Sequence, residues 1–329
     1  MDAQDGLLSA AVEITRAASG LAARRFLDGV PAGRKPDGSA LTPADIEVEK
    51  LIRSLIADRF PGDSVCGEEL ADTCGSTGRR WVIDPIDGTS QFARRIPVFR
   101  VLLAVEDTEG SAVSVIGYPM SQDLVYAGRG RGCWHQVNDG PPRRITVSSA
   151  RQPRGAWVEM VNPAAWSEEL LVKLHREVLL LPGMKSMPDV ASGVTDALII
   201  AGMPMGYEDI APIPLIITEA GGRVSDLHGD DVLSGNGTVL ASNGHIHDAL
   251  LDLVRDLPSG RDYQSLLQAR GGLQGAGEGL EAQAGCCDCD PEQGAEEQGA
   301  AAGLAERGHV GGQADRGQCH GDEEDRRVL

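Results

Sequence analysis

Basic residues and long apolar runs are scarce in this sequence of 329 residues. Its 30 lysines and arginines are outnumbered by 49 acidic residues, and the formal net charge of -19 argues against a surface that binds nucleic acid or anionic lipid. No apolar stretch approaches the roughly 20 residues that span a bilayer, and the N-terminus carries acids where a signal peptide carries bases. We therefore expect a cytoplasmic protein without nucleic-acid or membrane partners.

Two further motifs are missing. Neither a P-loop nor a dinucleotide fingerprint is present, so nothing in the sequence indicates an organic cofactor. In the globular part, Cys66, Cys74 and Cys133 do not follow the spacing of a disulfide framework, which agrees with a cytosolic protein.

The composition divides the chain into a globular part and a tail. A hydrophobic content of 41% and the length together support two domains with real cores. Near residue 260 the chain changes to Gly, Ala, Gln and Glu with almost no aromatic or β-branched residues, and such a segment buries too little apolar surface to offset its ordering entropy. We predict a disordered, low-complexity tail over 263–329.

Hydrophobic periodicity predicts the fold class of the globular part. Two amphipathic helices come first, followed by short β-rich runs between Gly, Asp and Pro turns, which are typical of an antiparallel sheet. Strand-like and helical segments then alternate. We predict an N-terminal α+β domain over 1–148 and a C-terminal α/β domain over 149–262. The helical positions are Leu7, Ala11, Ile14, Ala18, Leu21, Val48, Leu51, Ile52, Leu55 and Ile56.

Four acidic residues crowd into two neighbouring segments. Glu68 and Glu69 lie in "GEEL", and Asp84 and Asp87 lie in "WVIDPIDGTSQF", whose other residues predict a buried strand. Carboxylates repel one another and resist desolvation, so this arrangement is unfavourable unless a cation lies among them. The sequence therefore predicts a metal site.

The local sequence indicates which metal. Pro85 fixes φ and Gly88 allows a turn, so Asp84, Asp87 and the Ile86 carbonyl can face one point. Glu68 can join them from the preceding loop. An all-oxygen ligand set selects a hard cation such as Mg2+. A helix that begins at residues 88–89 would place its free N–H groups beside that ion to hold a phosphate.

Three motifs together resemble the inositol monophosphatase superfamily, a group of Mg2+-dependent phosphomonoesterases. They are "GEE", "WVIDPIDGTSQF" and "EDIAPIPLIITEAGG", and "KPDGSALTPAD" matches the approach to the first of them. The resemblance covers roughly 1–260. It implies a layered αβαβα sugar-phosphatase-like fold with an antiparallel N-terminal sheet and a mixed C-terminal sheet.

The resemblance also implies residue roles. Thr89 with Asp45 positions and activates a metal-bound water, and Glu68 belongs to the catalytic set. The backbone N–H groups of Gly88 and Thr89 hold the phosphate. The implied ligands of two or three Mg2+ ions are Glu68, Asp84, Asp87, Asp209 and the Ile86 carbonyl.

Several positions depart from the family pattern. Glu208 stands where Trp is usual, Gln91 replaces Asn, and Ala44 replaces a Thr that would support Asp45. Pro214 is expected to distort the helix that begins near Asp209. The segment 183–206 does not reproduce the usual substrate loop.

Two functions therefore remain open. The first is hydrolysis of a small phosphomonoester of a polyol or amino alcohol, with a histidinol-phosphatase-like branch closest and inositol or aminocyclitol phosphates next. The alternative is a weakly active or inactive family member that acts as a binding or regulatory protein. The resemblance also implies a possible homodimer.

Overall fold

Two N-terminal helices cover one face of the first sheet. The computed structural model describes residues 3–35, 40–183, 185–263 and residue 265. Helix α1 (Ala3–Asp28) and helix α2 (Pro43–Arg59) form as predicted, and their periodic apolar positions are buried except for Leu21, Leu51 and Leu55, which are half-buried. Helix α2 begins with a capping box, in which Thr42 is the N-cap and Asp45 is the N3 residue. Its start is therefore set by side chains that satisfy otherwise unpaired backbone N–H groups.

The first sheet has seven strands in sequential order. A parallel pair, β3 with β4, forms one edge, and all other neighbours are antiparallel. The predicted antiparallel sheet is thus confirmed apart from that edge. The chain also contains a small hairpin of β1 (Gly33–Arg34) and β2 (Ala40–Leu41). The seven strands are β3 (Ser64–Gly67), β4 (Arg80–Asp87), β5 (Arg100–Asp107), β6 (Gly110–Tyr118), β7 (Asp123–Gly128), β8 (Gly132–Val137) and β9 (Arg143–Ile145).

The second sheet has five strands in the order β11-β10-β12-β14-β13. Strand β10 is parallel to β11 and β12, whereas β14 is antiparallel to β12 and β13, so the expected mixed sheet is confirmed. Its strands are β10 (Trp157–Val161), β11 (Leu179–Pro182), β12 (Ala197–Ile200), β13 (Arg223–Ser225) and β14 (Val239–Ser242).

The remaining helices are short. Prolines divide the predicted helix after Asp209 into α6 and α7, with Pro212 as the N-cap of α7 and Pro214 in its first turn. The helices are α3 (Thr89–Ala93), a 3₁₀ turn (Pro163–Ala165), α4 (Glu168–Glu177), α5 (Met187–Ala191), α6 (Tyr207–Ile210), α7 (Ile213–Glu219) and α8 (His247–Val254).

Three apolar clusters define the layers. The first lies between α1, α2 and one face of the first sheet. The second joins the other face of that sheet to α5, α7 and the second sheet. The third lies between the second sheet and helices α4 and α8. The layer order is therefore αβαβα, as the resemblance implied.

The chain passes from the first sheet to the second between Ile145 and Trp157. This crossing lies where the sequence placed a boundary between two domains, and the division into domains stays a prediction. The predicted tail over 263–329 falls almost entirely outside the described residues. Within the part of the chain that the structure describes, no helix is both long enough and apolar enough to cross a membrane.

Candidate metal centre

The central element of the candidate site is the end of β4. The segment from Trp81 to Ile86 is buried, and the pairing of β4 with β5 becomes irregular between Asp84 and Asp87. Asp84 is 1% exposed, and its Oδ1 accepts a hydrogen bond of 3.0 Å from the Ile86 N–H. The irregularity lets Asp84 and Asp87 approach each other from a strand whose neighbouring side chains form the core.

Asp209 joins these two aspartates from the other half of the chain. One carboxylate oxygen from each of Asp84, Asp87 and Asp209 lies within 4.8 Å of the other two. Burial raises the pKa of Asp84 and of Asp209 well above the usual range, and the neighbouring carboxylates raise both further. The two aspartates of "DPID" and Asp209 therefore form a cluster whose negative charge a bound cation would stabilise.

Helix α6 is docked onto the first sheet by a polar triad that the sequence did not reveal. The Tyr207 hydroxyl donates to Glu106 Oε1 at 2.5 Å, and Arg80 Nη2 donates to Glu106 Oε2 at 2.6 Å. The Arg80 guanidinium also lies 5.0 Å from the centre of the Tyr207 ring. Asp209 itself accepts a 2.9 Å hydrogen bond from the Gly206 N–H. These contacts hold Asp209 against the end of β4.

Glu68 lies beside the aspartate cluster but is not one of its three members. Its Oε1 is 2.6 Å from Lys35 Nζ, which is also 2.8 Å from Glu69 Oε1. Burial and then the charge of Glu68 raise the pKa of Glu69 to about 8. After burial, Glu68 is also the largest cause of the raised pKa of Asp84. Glu68 therefore adds to the negative potential of the site, while Lys35 partly neutralises it.

A buried glutamate on α2 supports the loop that carries Glu68. Glu49 Oε2 accepts a 2.8 Å hydrogen bond from the Glu69 N–H, and its Oε1 accepts one of 2.7 Å from Arg53. A Cβ atom at Gly67 would lie 2.1 Å from Glu49 Oε1. The glycine of "GEE" is thus needed for this close approach.

Asp45 and Thr89 are brought together as the sequence resemblance implied. Thr89 Oγ1 lies 3.0 Å from Asp45 Oδ1 and 3.0 Å from the Ile86 carbonyl oxygen. Burial raises the pKa of Asp45 to about 6, although hydrogen bonds from Thr42 and Thr89 oppose the shift. Thr42 donates to Asp45 Oδ2 through both its N–H and its hydroxyl, at 2.9 and 2.6 Å. Thr42 therefore donates hydrogen bonds to Asp45, which Ala44, in the place of the usual Thr, cannot do with its side chain.

Gly88 makes the turn from β4 into α3. Its φ of +92° lies in the left-handed region, and a Cβ atom there would lie 3.2 Å from the Val98 carbonyl oxygen. Helix α3 begins at Thr89, with Gly88 as the N-cap, as predicted. Both backbone N–H groups thus belong to the opening turn of a helix that adjoins the aspartates.

One basic residue at the site was missed altogether. Arg100, the first residue of β5, is 9% exposed and forms an ion pair with Asp87 through Nη1 and Oδ2. In the sequence it stands at the start of a hydrophobic strand, and it belongs to none of the motifs.

The family model for the inositol monophosphatase family matches residues 3–259. The chain belongs to this family. It is 33% identical to a histidinol-phosphatase of Mycobacterium tuberculosis over 222 residues, which is 66% of this chain and 85% of that protein. It is 30% identical to the Nus factor SuhB of Escherichia coli over 261 residues, covering 76% of this chain and 96% of the relative.

A solved structure shares the fold as well. The extragenic suppressor protein suhB from Bartonella henselae superposes with a TM-score of 0.67 at 25% identity, covering 76% of this chain and 99% of the other. The family membership inferred from three motifs is therefore confirmed. The protein is a phosphoric monoester hydrolase of a metal-dependent phosphatase family, and its acidic cluster agrees with that class.

Proposed function

We propose that this protein hydrolyses the phosphate monoester of a small amino alcohol or polyol with Mg2+ as the cofactor. The candidates are histidinol phosphate and inositol or aminocyclitol phosphates. The observation that carries the proposal is the meeting of Asp84, Asp87 and Asp209 within 4.8 Å, beside the hydrogen-bonded pair of Asp45 and Thr89. Similarity to a histidinol-phosphatase supports the first substrate.

The donor set fits a hard divalent cation. Asp84, Asp87, Asp209 and Glu68 offer carboxylate oxygens and Ile86 a backbone carbonyl, and such all-oxygen sites favour Mg2+ over softer metals. Burial first, and then the neighbouring carboxylates, raise the pKa values of Asp84 and Asp209, so a divalent cation would stabilise the ionised cluster. When bound, Mg2+ supplies charge stabilisation to the phosphate and a more acidic water.

The other roles in the hydrolysis are assigned to residues of the chain. In the reaction a water oxygen forms a bond to phosphorus, the bond from phosphorus to the alcohol oxygen breaks, and the leaving alkoxide takes up a proton from solvent water. Thr89 Oγ1 lies 3.0 Å from Asp45 Oδ1, so the hydroxyl can donate to Asp45 while its oxygen accepts a hydrogen bond from the attacking water. As the water attacks, Thr89 passes its proton to Asp45 and takes one from the water. The N–H groups of Gly88 and Thr89 would hold the phosphate oxygens.

Phosphate release by the purified protein tests this proposal. The substrates are histidinol phosphate, inositol 1-phosphate, an aminocyclitol phosphate and fructose bisphosphate, each with and without Mg2+. Asp209→Asn removes one ligand charge, and Asp58→Asn makes the same change on the exposed face of α2. We expect Mg2+-dependent turnover of one substrate that is lost in Asp209→Asn and kept in Asp58→Asn. Equal turnover in both variants would refute the metal site.

The alternative is a weakly active member with a binding or regulatory role. Lys35 forms an ion pair with Glu68 and Arg100 with Asp87, so part of the acidic charge is neutralised by the chain itself. In addition, one group of relatives carries the name Nus factor. This alternative predicts negligible Mg2+-dependent turnover. A rate of about 1 per second or above on any substrate of the panel excludes it.

The expected homodimer and the cytoplasmic location remain predictions. Sedimentation of the purified protein measures the first, and fractionation of the source cell measures the second.

A further inference from the structure

Arg100 is a buried cation at the edge of the proposed metal centre. It faces Asp87 across the β4–β5 pair, directly after the irregular stretch that begins at Asp84. The guanidinium forms an ion pair with Asp87 Oδ2, and the residue is 9% exposed. The proposed mechanism uses Asp87 as a metal ligand and assigns no role to Arg100.

The surroundings of Arg100 hold its guanidinium in place. The guanidinium carbon lies 6.0 Å from the centre of the Tyr118 ring, and Lys185 Nζ lies 6.0 Å from the same ring. The Tyr118 hydroxyl donates to the Lys185 carbonyl oxygen at 2.6 Å, and Lys185 forms an ion pair with Asp123. A buried guanidinium that left Asp87 would lose its carboxylate partner, which is strongly unfavourable. We therefore expect the pair to persist when a metal binds.

This persistence limits what Asp87 can offer to a metal. A carboxylate that is free on both sides can chelate one ion or bridge two ions. The hydrogen bond from Arg100 occupies one of the two lone pairs of Oδ2 and lowers the electron density on that oxygen, so Oδ1 is the better donor to a cation. Arg100 also places a permanent positive charge next to that cation.

We propose that Arg100 is a fixed cation of the metal centre, which keeps one oxygen of Asp87 and lowers the affinity of the centre for divalent ions. The inference rests on the proposed function, because it concerns the same aspartate cluster. Arg100 is a positioning residue in this account, since it acts on the metal through Asp87.

Two effects of Arg100 on metal affinity oppose each other. The ion pair orders the Asp87 side chain, which favours binding by reducing the entropy lost when the ligand is fixed. The charge of Arg100 repels a divalent ion, and burial limits the screening of that repulsion by solvent. The repulsion acts on a doubly charged ion at short range, whereas the ordering concerns one short side chain. We therefore expect repulsion to win.

Calorimetric titration of the metal-free protein with Mg2+ and with Mn2+, in the absence of substrate, tests the inference. Arg100→Gln removes the charge and keeps a hydrogen-bond donor, and Arg100→Lys keeps the charge. Because loss of the charge removes the repulsion of a doubly charged ion, we expect Arg100→Gln to bind Mg2+ about tenfold more tightly than the parent protein, and Arg100→Lys to stay close to the parent value. Equal or weaker binding in Arg100→Gln overturns the proposal.

A second measurement needs no variant, so it applies even if Arg100→Gln does not fold. A crystal structure of the parent protein with Mn2+ is expected to show Asp87 bound to manganese through one oxygen and to Arg100 through the other. A manganese ion chelated by both oxygens of Asp87, or two ions bridged by them, overturns the proposal.

The titration also separates this inference from the proposed function. Asp209→Asn is titrated beside the parent protein as the reference for loss of the metal site. If neither binds Mg2+, the metal centre and the role of Arg100 fall together. If the parent protein binds, Asp209→Asn does not, and Arg100→Gln matches the parent, only the role of Arg100 is refuted.

Discussion

The hydroxyl oxygen of Thr89 lies 3.0 Å from Asp45 Oδ1, although 44 residues separate them in the chain. Thr89 opens helix α3 after β4, and Asp45 lies in the first turn of α2, so the contact forms only when α2 packs at the end of the first sheet. Both residues are buried. This contact joins a proton acceptor to a hydroxyl next to the aspartate cluster.

Thr89→Val tests the proton path. The substitution keeps the shape of the side chain and removes the hydroxyl, so water loses its route to Asp45. We expect kcat to fall by about 10²- to 10⁴-fold, while calorimetric binding of Mg2+ remains. Thr89→Ser keeps the hydroxyl and is expected to retain most of the activity. A Thr89→Val enzyme with the parent kcat would rule out this role.

Asp209→Asn is expected to stabilise the metal-free protein. The change removes one of three crowded carboxylates, and the amide oxygen can still accept the Gly206 hydrogen bond. We expect the free energy of unfolding without metal to rise by about 1 kcal/mol. Mg2+ at 100 times its Kd is expected to stabilise the parent protein by about 2.7 kcal/mol and the variant much less.

Urea unfolding with EDTA and with Mg2+ measures both effects of Asp209→Asn. Asp58→Asn, on the exposed face of α2, provides the matched surface change. If Asp209→Asn is less stable than the parent protein in EDTA, the carboxylates do not repel each other as described.

Tyr207→Phe tests the docking of α6. The variant loses the 2.5 Å hydrogen bond to Glu106 but keeps the ring on which Arg80 lies. Asp209 is two residues away, so we expect the affinity for Mg2+ to fall about tenfold with little change in kcat at saturating Mg2+. Tyr126→Phe, in the first sheet, is the control. An unchanged Mg2+ dependence would show that the hydroxyl does not position Asp209.

His247 is expected to make stability depend on pH. It is fully buried, with Ser225 Oγ 3.0 Å from Nε2 and Ser242 Oγ 2.9 Å from Nδ1. Burial lowers the pKa of His247 from 6.5 to about 4. Between these pH values the unfolded chain binds a proton that the native state does not, so the free energy of unfolding falls as pH falls through this range.

Urea titrations from pH 7 to pH 4 measure this dependence. His247→Gln is expected to show a shallower loss of stability over the pH range in which His247 differs between the two states. His175→Gln, which changes an exposed histidine on α4, is expected to follow the parent curve. Parallel curves for parent and His247→Gln would contradict the assignment.

The sequence predicted the parts of the site that depend on local pattern. Asp84, Asp87, Gly88 and Thr89 lie within one motif, so their spacing and turn chemistry were visible without a fold. The layer order followed from the resemblance, whereas the periodicity of long elements predicted only an α+β half followed by an α/β half. Strands β3 and β8 have weak local signals, because "SVCG" is short and "GCWHQV" is polar at one end.

The contacts of the site that the sequence did not predict are pairs of charged or polar residues brought together by the fold. Lys35 meets Glu68 across 33 residues, and Tyr207 meets Glu106 across 101. Arg100 and Asp87 are only 13 residues apart, but their contact depends on the irregular pairing of β4 with β5. Such pairs are set by tertiary packing, and hydrophobic periodicity carries no information about them.

The aspartates of the centre come from the two halves of the chain. Asp84 and Asp87 end a strand of the first sheet, and Asp209 follows a strand of the second. A metal ion bound by all three aspartates would therefore link the two halves of the chain. By thermodynamic reciprocity, packing of the two halves on each other would raise metal affinity by the same factor by which the bound metal strengthens that packing. A chain cut between Ile145 and Trp157 would thus reassociate more strongly in Mg2+ than in EDTA.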